Sequence, residues 1–353
     1  MPAADAPPAR RRRRNLSPWA QWQLQLAAVE RTDPVPGSAA ELDAWRDRVR
    51  ARLHELLGPT PAAVPLDVDV LGSEDCGPYR RDRIVFDVEE TMSVPAYLLV
   101  PHDRDAPGAA VLAIHGHGPG KDEVCGVETA EVREAFAEHR GDYAHVLAER
   151  GYVVFAPDLR CFGERADWQP EDKYHCDVNL VHAVMAGRSP LGQNVWDMQR
   201  ALDVLGQHPL VDASRVGAVG FSYGATMTLF LAAVDDRVRA AVVSGYLSSW
   251  KAAHRMPWNM CGSQVMPGML GSLEHVDVAA LVAPRALLVE TGSEDPLFPE
   301  AVARETVAQL RGVYDHLGAP TDAVVHDVFA GEHRWHGEQV GAFLDQWLEH
   351  TPS

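Results

Sequence analysis

Hydrophobic positions along this 353-residue chain follow a helical period in the first part and a strand period afterwards. The helical part carries apolar side chains at Trp45, Val49, Leu53 and Leu56. Ser17-Pro18 is typical of a helix start, Ser38-Ala39-Ala40-Glu41 has the form of a capping box, and Gly58 ends the second pattern. We therefore predict two N-terminal helices that pack on the rest of the chain.

From about residue 64 the pattern changes to strands. The runs Leu66-Val68-Val70, Ile84–Phe86 and Ala96–Val100 predict an antiparallel meander, followed by a turn at Ala106-Pro107-Gly108. Six further apolar runs alternate with helical segments such as Trp196–Leu205 and Glu300–Tyr314. These runs are Ala110–Ile114, Val153–Ala156, Val216–Val219, Ala240–Val243, Ala286–Val289 and Val324–Phe329. Continuous apolar strands separated by helices predict an α/β fold, with a mostly parallel, twisted sheet covered by helices on both faces.

The organisation that follows is one main domain with N-terminal additions. We expect a disordered, Arg-rich tail at residues 1–15, a helical extension at 16–75 and the main α/β domain at 76–353. The run Arg10–Arg14 is interpreted as part of a solvated tail. Gln21, Gln23 and Gln25 interrupt the apolar stretch that an export signal would need, so none is predicted.

Charge and cysteine content narrow the classes of partner. The formal net charge is −18, so we expect no binding to nucleic acid or to an anionic membrane. We also predict no membrane span, because the sequence contains no run of about 18 apolar residues. An odd number of cysteines, five, favours reduced thiols and a cytoplasmic location. His175-Cys176-Asp177 has residue types that bind metals, but the second half of a set of metal ligands is missing from the sequence pattern. No metal site is therefore predicted. The sequence leaves a homo-oligomer open.

One short segment has the context of a catalytic nucleophile. Gly220-Phe221-Ser222-Tyr223-Gly224 follows the apolar run Val216–Val219 and precedes a helical stretch, residues 225–233. A turn this tight between strand and helix exposes the serine, and the helix N-terminus favours negative charge beside it. A Gly-rich turn with an incidental serine is the alternative. The context favours Ser222 as a nucleophile.

A serine hydroxyl needs a base, and the base needs an orienting acid. Asp295 and Glu294 follow the run Ala286–Val289, and Asp295 is preferred because it directly precedes Pro296. His333 follows the last strand and Gly331; His336, its rival, is expected to lie already in the last helix. We therefore predict Ser222, Asp295 and His333, each at a strand end, as nucleophile, acid and base.

An oxyanion would also need N–H donors. The backbone N–H of Tyr223 should be one, and that of His117, in the loop Ile114-His115-Gly116-His117-Gly118, the other. The imidazoles of His115 and His117 could suggest a metal. Without further ligands, we expect them to brace the loop through hydrogen bonds.

At this point the sequence resembles the α/β-hydrolases related to dienelactone hydrolases and bacterial acetyl xylan esterases. The matching stretches are Ala113–Gly118, Asp158–Glu164, Gly220–Ala225, Gly292–Pro296 and Gly331–Gly337. The resemblance covers the chain from about residue 80 to its end and implies the fold and the triad. Dienelactone hydrolases use a cysteine nucleophile, so Ser222 argues for ester hydrolysis on another substrate.

Two stretches rich in aromatic side chains and Met are candidates for a substrate pocket, residues 246–270 and 165–191. The predicted substrate-binding residues are Trp250, Trp258, Met260 and Trp168. Filling of the core is an equal alternative. The predicted function is a cofactor-free serine esterase acting on a small-molecule ester. A peptidase or acyltransferase on the same triad, and a non-catalytic binding protein with this fold, are the alternatives.

Overall fold

A computed structural model describes residues 14–130, 132, 141–167, 175–255 and 260–351. The described residues up to Glu30 and those from Arg31 onward form two compact units. The helices are α1 (Pro18–Ala28), α2 (Ala39–Leu57), α3 (Lys121–Val124), α4 (Tyr143–Glu149), α5 (His175–Met185), α6 (Pro190–Gln207), α7 (Tyr223–Val234), α8 (Trp250–Ala253), α9 (His275–Ala280), α10 (Glu300–His316) and α11 (Val340–Trp347). None of the helices in the described part of the chain combines the length and the apolar character of a membrane span.

Within the described ranges, nine strands form one mixed sheet. They are β1 (Asp69–Asp75), β2 (Tyr79–Glu89), β3 (Met92–Pro101), β4 (Gly108–Ile114), β5 (Val153–Pro157), β6 (Val211–Phe221), β7 (Val238–Ser244), β8 (Ala286–Gly292) and β9 (Val324–Phe329). Their order in space is β1-β2-β3-β5-β4-β6-β7-β8-β9. The first three strands pair antiparallel, β3 pairs antiparallel with β5, and the six strands β4 to β9 run parallel. The predicted α/β fold class is confirmed.

The first strand differs from its prediction. β1 begins at Asp69 rather than Leu66, and every residue in it is exposed. Leu66 is buried outside the strand, where its carbonyl oxygen accepts the Asp87 N–H. An exposed edge strand is defined by its backbone hydrogen bonds to the neighbouring strand, so the apolar alternation from Leu66 to Val70 placed the start of β1 three residues too early. The boundary that we expected between the helical extension and the main domain, after residue 75, falls between β1 and β2, which pair with each other.

Two layers of helices cover the sheet because its strands are apolar on both faces. Side chains of β4 alternate between two cores: Ala110, Leu112 and Ile114 face one, and Ala109, Val111 and Ala113 face the other. The first core includes residues of α2, α6, α7, α9 and α10, and the second includes residues of α4 and α11. This two-sided burial explains the continuous apolar runs.

Both predicted N-terminal helices are present, but their caps differ. The Ser17 hydroxyl oxygen accepts the Ala20 N–H and caps α1. At the start of α2, the Ser38 hydroxyl donates to the Glu41 carboxylate over 2.9 Å, so the predicted capping box does not form.

Candidate active site

The turn between β6 and α7 holds Ser222 in a strained conformation. Its φ of 54° and ψ of −115° lie where L-residues are rarely found. A Cβ on Gly220 would lie 2.3 Å from the Gly224 backbone, and one on Gly224 would lie 1.9 Å from the Ile114 carbonyl oxygen. Both flanking positions therefore require glycine. The turn is fixed further by the Ser222 N–H, which donates to the Ser244 carbonyl over 2.8 Å.

His333 reaches Ser222 from the loop after β9. Its Nε2 lies 2.9 Å from the Ser222 Oγ, and its Nδ1 lies 2.7 Å from Oδ2 of Asp295. The ring packs 4.9 Å from the ring of Phe221 and 5.7 Å from that of Phe298. The hydroxyl, imidazole and carboxylate predicted from sequence thus form one hydrogen-bonded series.

Asp295 is buried and held by the backbone that follows it. Its Oδ1 accepts the N–H groups of Leu297 at 2.8 Å and Phe298 at 3.0 Å. With Oδ1 occupied in this way, Oδ2 faces the histidine. The neighbouring Glu294 has an exposed side chain, while its backbone N–H donates to Gly331.

His336 lies apart from this series. Its ring stacks on Phe329 with centroids 4.3 Å apart, and its Nε2 lies 3.8 Å from Oδ2 of Asp327. The expectation that His336 belongs to the last helix is wrong, because α11 begins at Val340. Gly337 has a φ of 77°, which is outside the helical region, and its N–H donates to the Glu290 side chain, so this part of the chain belongs to the loop.

Glu290, at the end of β8, holds the loop that carries His333. Its Oε1 accepts the Gly337 N–H at 2.9 Å, and its backbone carbonyl accepts the Gly245 N–H at 3.0 Å. The side chain is fully buried, and burial raises its pKa to about 7. A Cβ on Gly245 would lie 3.1 Å from Cε1 of His333, so this position also needs glycine.

The loop after β4 passes directly beside the serine. A Cβ on Gly116 would lie 3.0 Å from the Phe221 carbonyl oxygen and 3.6 Å from the Ser222 Cβ. His115 braces the loop: its Nε2 accepts the Leu159 N–H at 2.9 Å, and its Nδ1 therefore donates to the Gly116 carbonyl at 2.7 Å. Complete burial lowers the pKa of this imidazole, which favours its neutral form.

An ion-pair network around the buried Lys121 holds the end of the same loop. The Lys121 ammonium lies 2.8 Å from the Asp158 carboxylate and 2.6 Å from that of Glu164. The Lys121 backbone N–H also donates to Asp158. Asp158 and Glu164 belong to one of the stretches that carried the resemblance, and their contacts give that stretch a structural role.

Sequence reasoning missed one cluster of side chains in this region. The side-chain ligand atoms of His117, Cys176 and Cys261 all lie within 4.8 Å of one another. His117 Nε2 is 3.2 Å from the Cys261 Sγ. These residues are far apart in the chain and form no short motif, so the sequence pattern did not indicate that they lie together. The histidine of the loop therefore has thiols beside it, which the prediction of simple bracing did not include.

The predicted pocket residues fall in different places. Trp250 is buried, its indole N–H donates to the Leu273 carbonyl over 2.7 Å, and its ring lies 3.9 Å from that of His275. The structure therefore places Trp250 in the core, with no open surface for a substrate. Met260 is half-buried against the core. Trp168 and Trp258 lie outside the described residues.

An open cleft of about 620 Å³ adjoins the loop after β4. His117, Lys121 and Phe162 are among the residues that line it. The cleft is lined in part by the loop that carries His117, whereas Ser222, Asp295 and His333 are not among its lining residues.

Comparisons with known proteins agree with this architecture. The sequence model of a group described as the Abhydrolase family matches residues 35–347. YtaP of Bacillus subtilis (strain 168), a provisionally assigned hydrolase, is 26% identical over 276 residues, which are 76% of this chain and 88% of YtaP.

Two solved structures share the fold. A provisionally assigned acetyl xylan esterase from Bacteroides fragilis superposes with a TM-score of 0.75 and 19% identity, covering 90% of this chain and 83% of its own. A glucuronoyl esterase from Solibacter usitatus gives a TM-score of 0.65 and 18% identity. The superposition covers 89% of this chain and 95% of the esterase chain. These relatives include an acetyl xylan esterase, as the resemblance implied, but they are not named dienelactone hydrolases.

Proposed function

This chain belongs to the Abhydrolase family, and from that premise we propose that it is a serine esterase that cleaves a carboxylic ester through Ser222, His333 and Asp295. The observation that carries the proposal is the hydrogen-bonded series of these three side chains. A hydroxyl, an imidazole and a buried carboxylate in this order are the groups that acyl transfer requires.

The chemistry follows from these contacts. His333 Nε2, 2.9 Å from the Ser222 Oγ, takes the hydroxyl proton as the oxygen attacks the ester carbonyl. Asp295 accepts the Nδ1–H, which keeps Nε2 free as a base and stabilises the imidazolium that forms. The proton then passes to the leaving alcohol oxygen as the ester C–O bond breaks. Water repeats the same sequence on the acyl-serine and releases the acid.

The negative oxygen of the tetrahedral intermediate needs donors that are in place beforehand. Tyr223 is the first residue of α7, where a backbone N–H has no acceptor within the helix. The His117 N–H belongs to the loop that passes the serine at Gly116. We assign these two N–H groups to the oxyanion.

The substrate class proposed is a small-molecule carboxylic ester, with carbohydrate esters as the first group to test. The names of the two structural relatives, acetyl xylan esterase and glucuronoyl esterase, support that choice. In the former the ester joins an acetyl group to a sugar hydroxyl, and in the latter the sugar supplies the carboxylate. Acetylated xylan and a methyl glucuronate should therefore be assayed beside p-nitrophenyl esters of increasing chain length.

Replacement of the nucleophile tests the assignment. Ser222→Ala should lower kcat on p-nitrophenyl acetate by roughly 10⁴–10⁶-fold, because the base then has no hydroxyl to activate. Mass spectrometry after treatment with a fluorophosphonate should find the adduct on the peptide that carries Ser222. Ser293→Ala changes an exposed serine near the end of β8 and serves as the matched control. An adduct elsewhere, or a Ser222→Ala enzyme with a tenth of wild-type turnover, would reject the assignment.

The same protein preparation distinguishes the alternatives. Faster turnover of peptide p-nitroanilides than of esters would indicate a peptidase, and net acyl transfer to an added alcohol would indicate an acyltransferase. Failure to react with the fluorophosphonate, together with no hydrolysis, would indicate a binding protein with this fold.

A further inference from the structure

Three side chains from separate parts of the chain converge beside the candidate active site. His117 comes from the loop after β4, Cys176 from the first turn of α5, and Cys261 from the segment before a short 3-10 helix at Gly262–Gln264. Both thiols are buried, and the imidazole is half-buried. The proposed ester hydrolysis uses the backbone N–H of His117 but none of these three side chains.

The spacing of the three ligand atoms suits a small, thiophilic cation. In a tetrahedral zinc site, bond lengths of about 2.3 Å to sulfur and 2.0–2.1 Å to nitrogen place neighbouring ligand atoms about 3.5 Å apart. Here the Nε2 of His117 lies 3.2 Å from the Sγ of Cys261, and all three atoms lie within 4.8 Å of one another. Thiolate and imidazole are the donors that select zinc over harder cations.

The backbone around the cluster is arranged to hold the two cysteines together. The Gly262 N–H donates to the Asp177 carboxylate over 3.0 Å, which joins the residues that follow each cysteine. A Cβ on Gly262 would lie 2.8 Å from that of Leu180, so only glycine allows this close approach to α5. The Gln264 side chain anchors the segment to α7 through Thr226 at 2.9 Å.

The imidazole is held equally firmly. Its ring packs 4.9 Å from the ring of Tyr223 and 5.4 Å from that of Phe162. This packing directs Nε2 to the thiols. A pair of thiols alone would point to a disulfide, whereas a third donor aimed at the same space points to a metal ion.

We propose that His117, Cys176 and Cys261 bind a zinc-like divalent cation, with a water molecule as the fourth ligand. The two thiols lose their protons as the metal–sulfur bonds form, and the protons pass to solvent. A bound ion would tie the loop after β4 to α5 and to the 261–264 segment. Since the His117 N–H is an assigned oxyanion donor, the ion would act as a positioning element for that loop. The site goes beyond the proposed esterase function and does not depend on it.

Metal binding can be measured without an activity assay. The full chain, stripped of metal by a chelator under reducing conditions, should bind one equivalent of Zn²⁺ in competition with a chromophoric chelator. Co²⁺ should give the thiolate-to-metal absorption of a tetrahedral site. Cys176→Ser and Cys261→Ser should each weaken binding by at least roughly 100-fold, since loss of a ligand costs more than loss of an outer contact. Cys76 is a half-buried cysteine in the β1–β2 turn, so the Cys76→Ser variant should bind Zn²⁺ as the wild type does.

A second measurement uses the unaltered protein, so that a misfolded variant cannot confuse the result. Zn²⁺ should protect Cys176 and Cys261 from alkylation, as located by mass spectrometry, while labelling of Cys76 stays the same. Alkylation of Cys176 and Cys261 that goes to completion at the same rate with and without Zn²⁺, in urea just below the unfolding midpoint, would overturn the proposal. So would undiminished Zn²⁺ binding in the Cys176→Ser/Cys261→Ser double variant, or a Cys176–Cys261 disulfide in the isolated protein whose reduction restores no metal binding.

Discussion

At the scale of single residues, hydrogen bonds separate groups that look equivalent along the chain. Two histidines three positions apart follow β9, and two carboxylates are adjacent after β8. One member of each pair is joined to Ser222 through hydrogen bonds, and the other is not. Paired substitutions therefore test the assignments more sharply than single ones.

The histidines give the first such pair. His333→Ala should lower kcat nearly as much as Ser222→Ala, because nucleophile and base act as one unit. His336→Ala should keep most of the activity, since its ring lies on Phe329. Steady-state kinetics on a p-nitrophenyl ester would measure both. If His336→Ala proved the more damaging change, the base would be misassigned.

The carboxylates give the second pair. Asp295→Asn should leave the protein folded but lower kcat by roughly 10⁴, because an amide favours the wrong imidazole tautomer. Glu294→Gln should have a mild effect, since its side chain is exposed. Circular dichroism would check folding and kinetics would report the loss. Small, equal losses would point to a different carboxylate.

At the scale of elements, the site depends on how strand ends and loops are held together. β6, β8 and β9 end at the same edge of the sheet, and the loops that follow them supply Ser222, Asp295 and His333. Glu290, in β8, joins the end of β7 to the loop that carries His333, because it accepts one N–H from each.

The burial of Glu290 predicts a pH dependence of stability. Its folded-state pKa, about 7, lies above the ordinary 4.5, so the native protein holds this proton more tightly than the unfolded chain does. The stabilisation is complete below about pH 4.5 and is lost as the pH rises through about 7. The loss should be on the order of 3 kcal/mol.

Glu290→Gln cannot ionise and should lack this component. Urea unfolding between acidic and neutral pH should show the free energy of unfolding of the variant rising relative to that of the wild type. Glu332→Gln, in the same loop with an exposed side chain, is the control and should run parallel to the wild type. A parallel profile for Glu290→Gln would mean that this carboxyl does not titrate as proposed.

At the scale of the whole molecule, buried ion pairs link distant parts of the chain. Arg160, after β5, makes two hydrogen bonds of 2.8 and 2.9 Å to Asp197 in α6. It also donates to Glu89 at the end of β2 over 2.7 Å. Asp197 is fully buried and pairs in addition with Arg165 at 2.9 Å. This network connects the antiparallel and parallel parts of the sheet through one helix.

Arg160→Leu should lower the free energy of unfolding by about 3 kcal/mol, because it leaves a buried carboxylate short of its main partner. Arg48→Leu removes an exposed pair with Asp33 and should change stability little. Chemical denaturation of both variants would measure the difference. Equal midpoints would show that Arg165 alone compensates Asp197.

The sequence by itself determined the fold class and the three candidate residues of the site. Both follow from local signals: apolar runs buried on two faces, and a glycine-flanked serine between a strand and a helix. Because parallel strands end at one edge, residues just after their ends meet there whatever their distance along the chain. That rule is enough to bring Ser222, Asp295 and His333 together from the order of strands and loops alone.

Tertiary structure decided the contacts for which no local rule exists. The start of β1 depends on its pairing with β2, since all of its residues, the apolar Val70 and Leu71 included, are exposed and no burial pattern marks where it begins. Trp250 looked like a pocket residue but fills the core, because burial depends on what packs around a side chain and not on its type. The meeting of His117 with Cys176 and Cys261 is the strongest case. Three segments that share no motif approach one point only when the whole chain has folded.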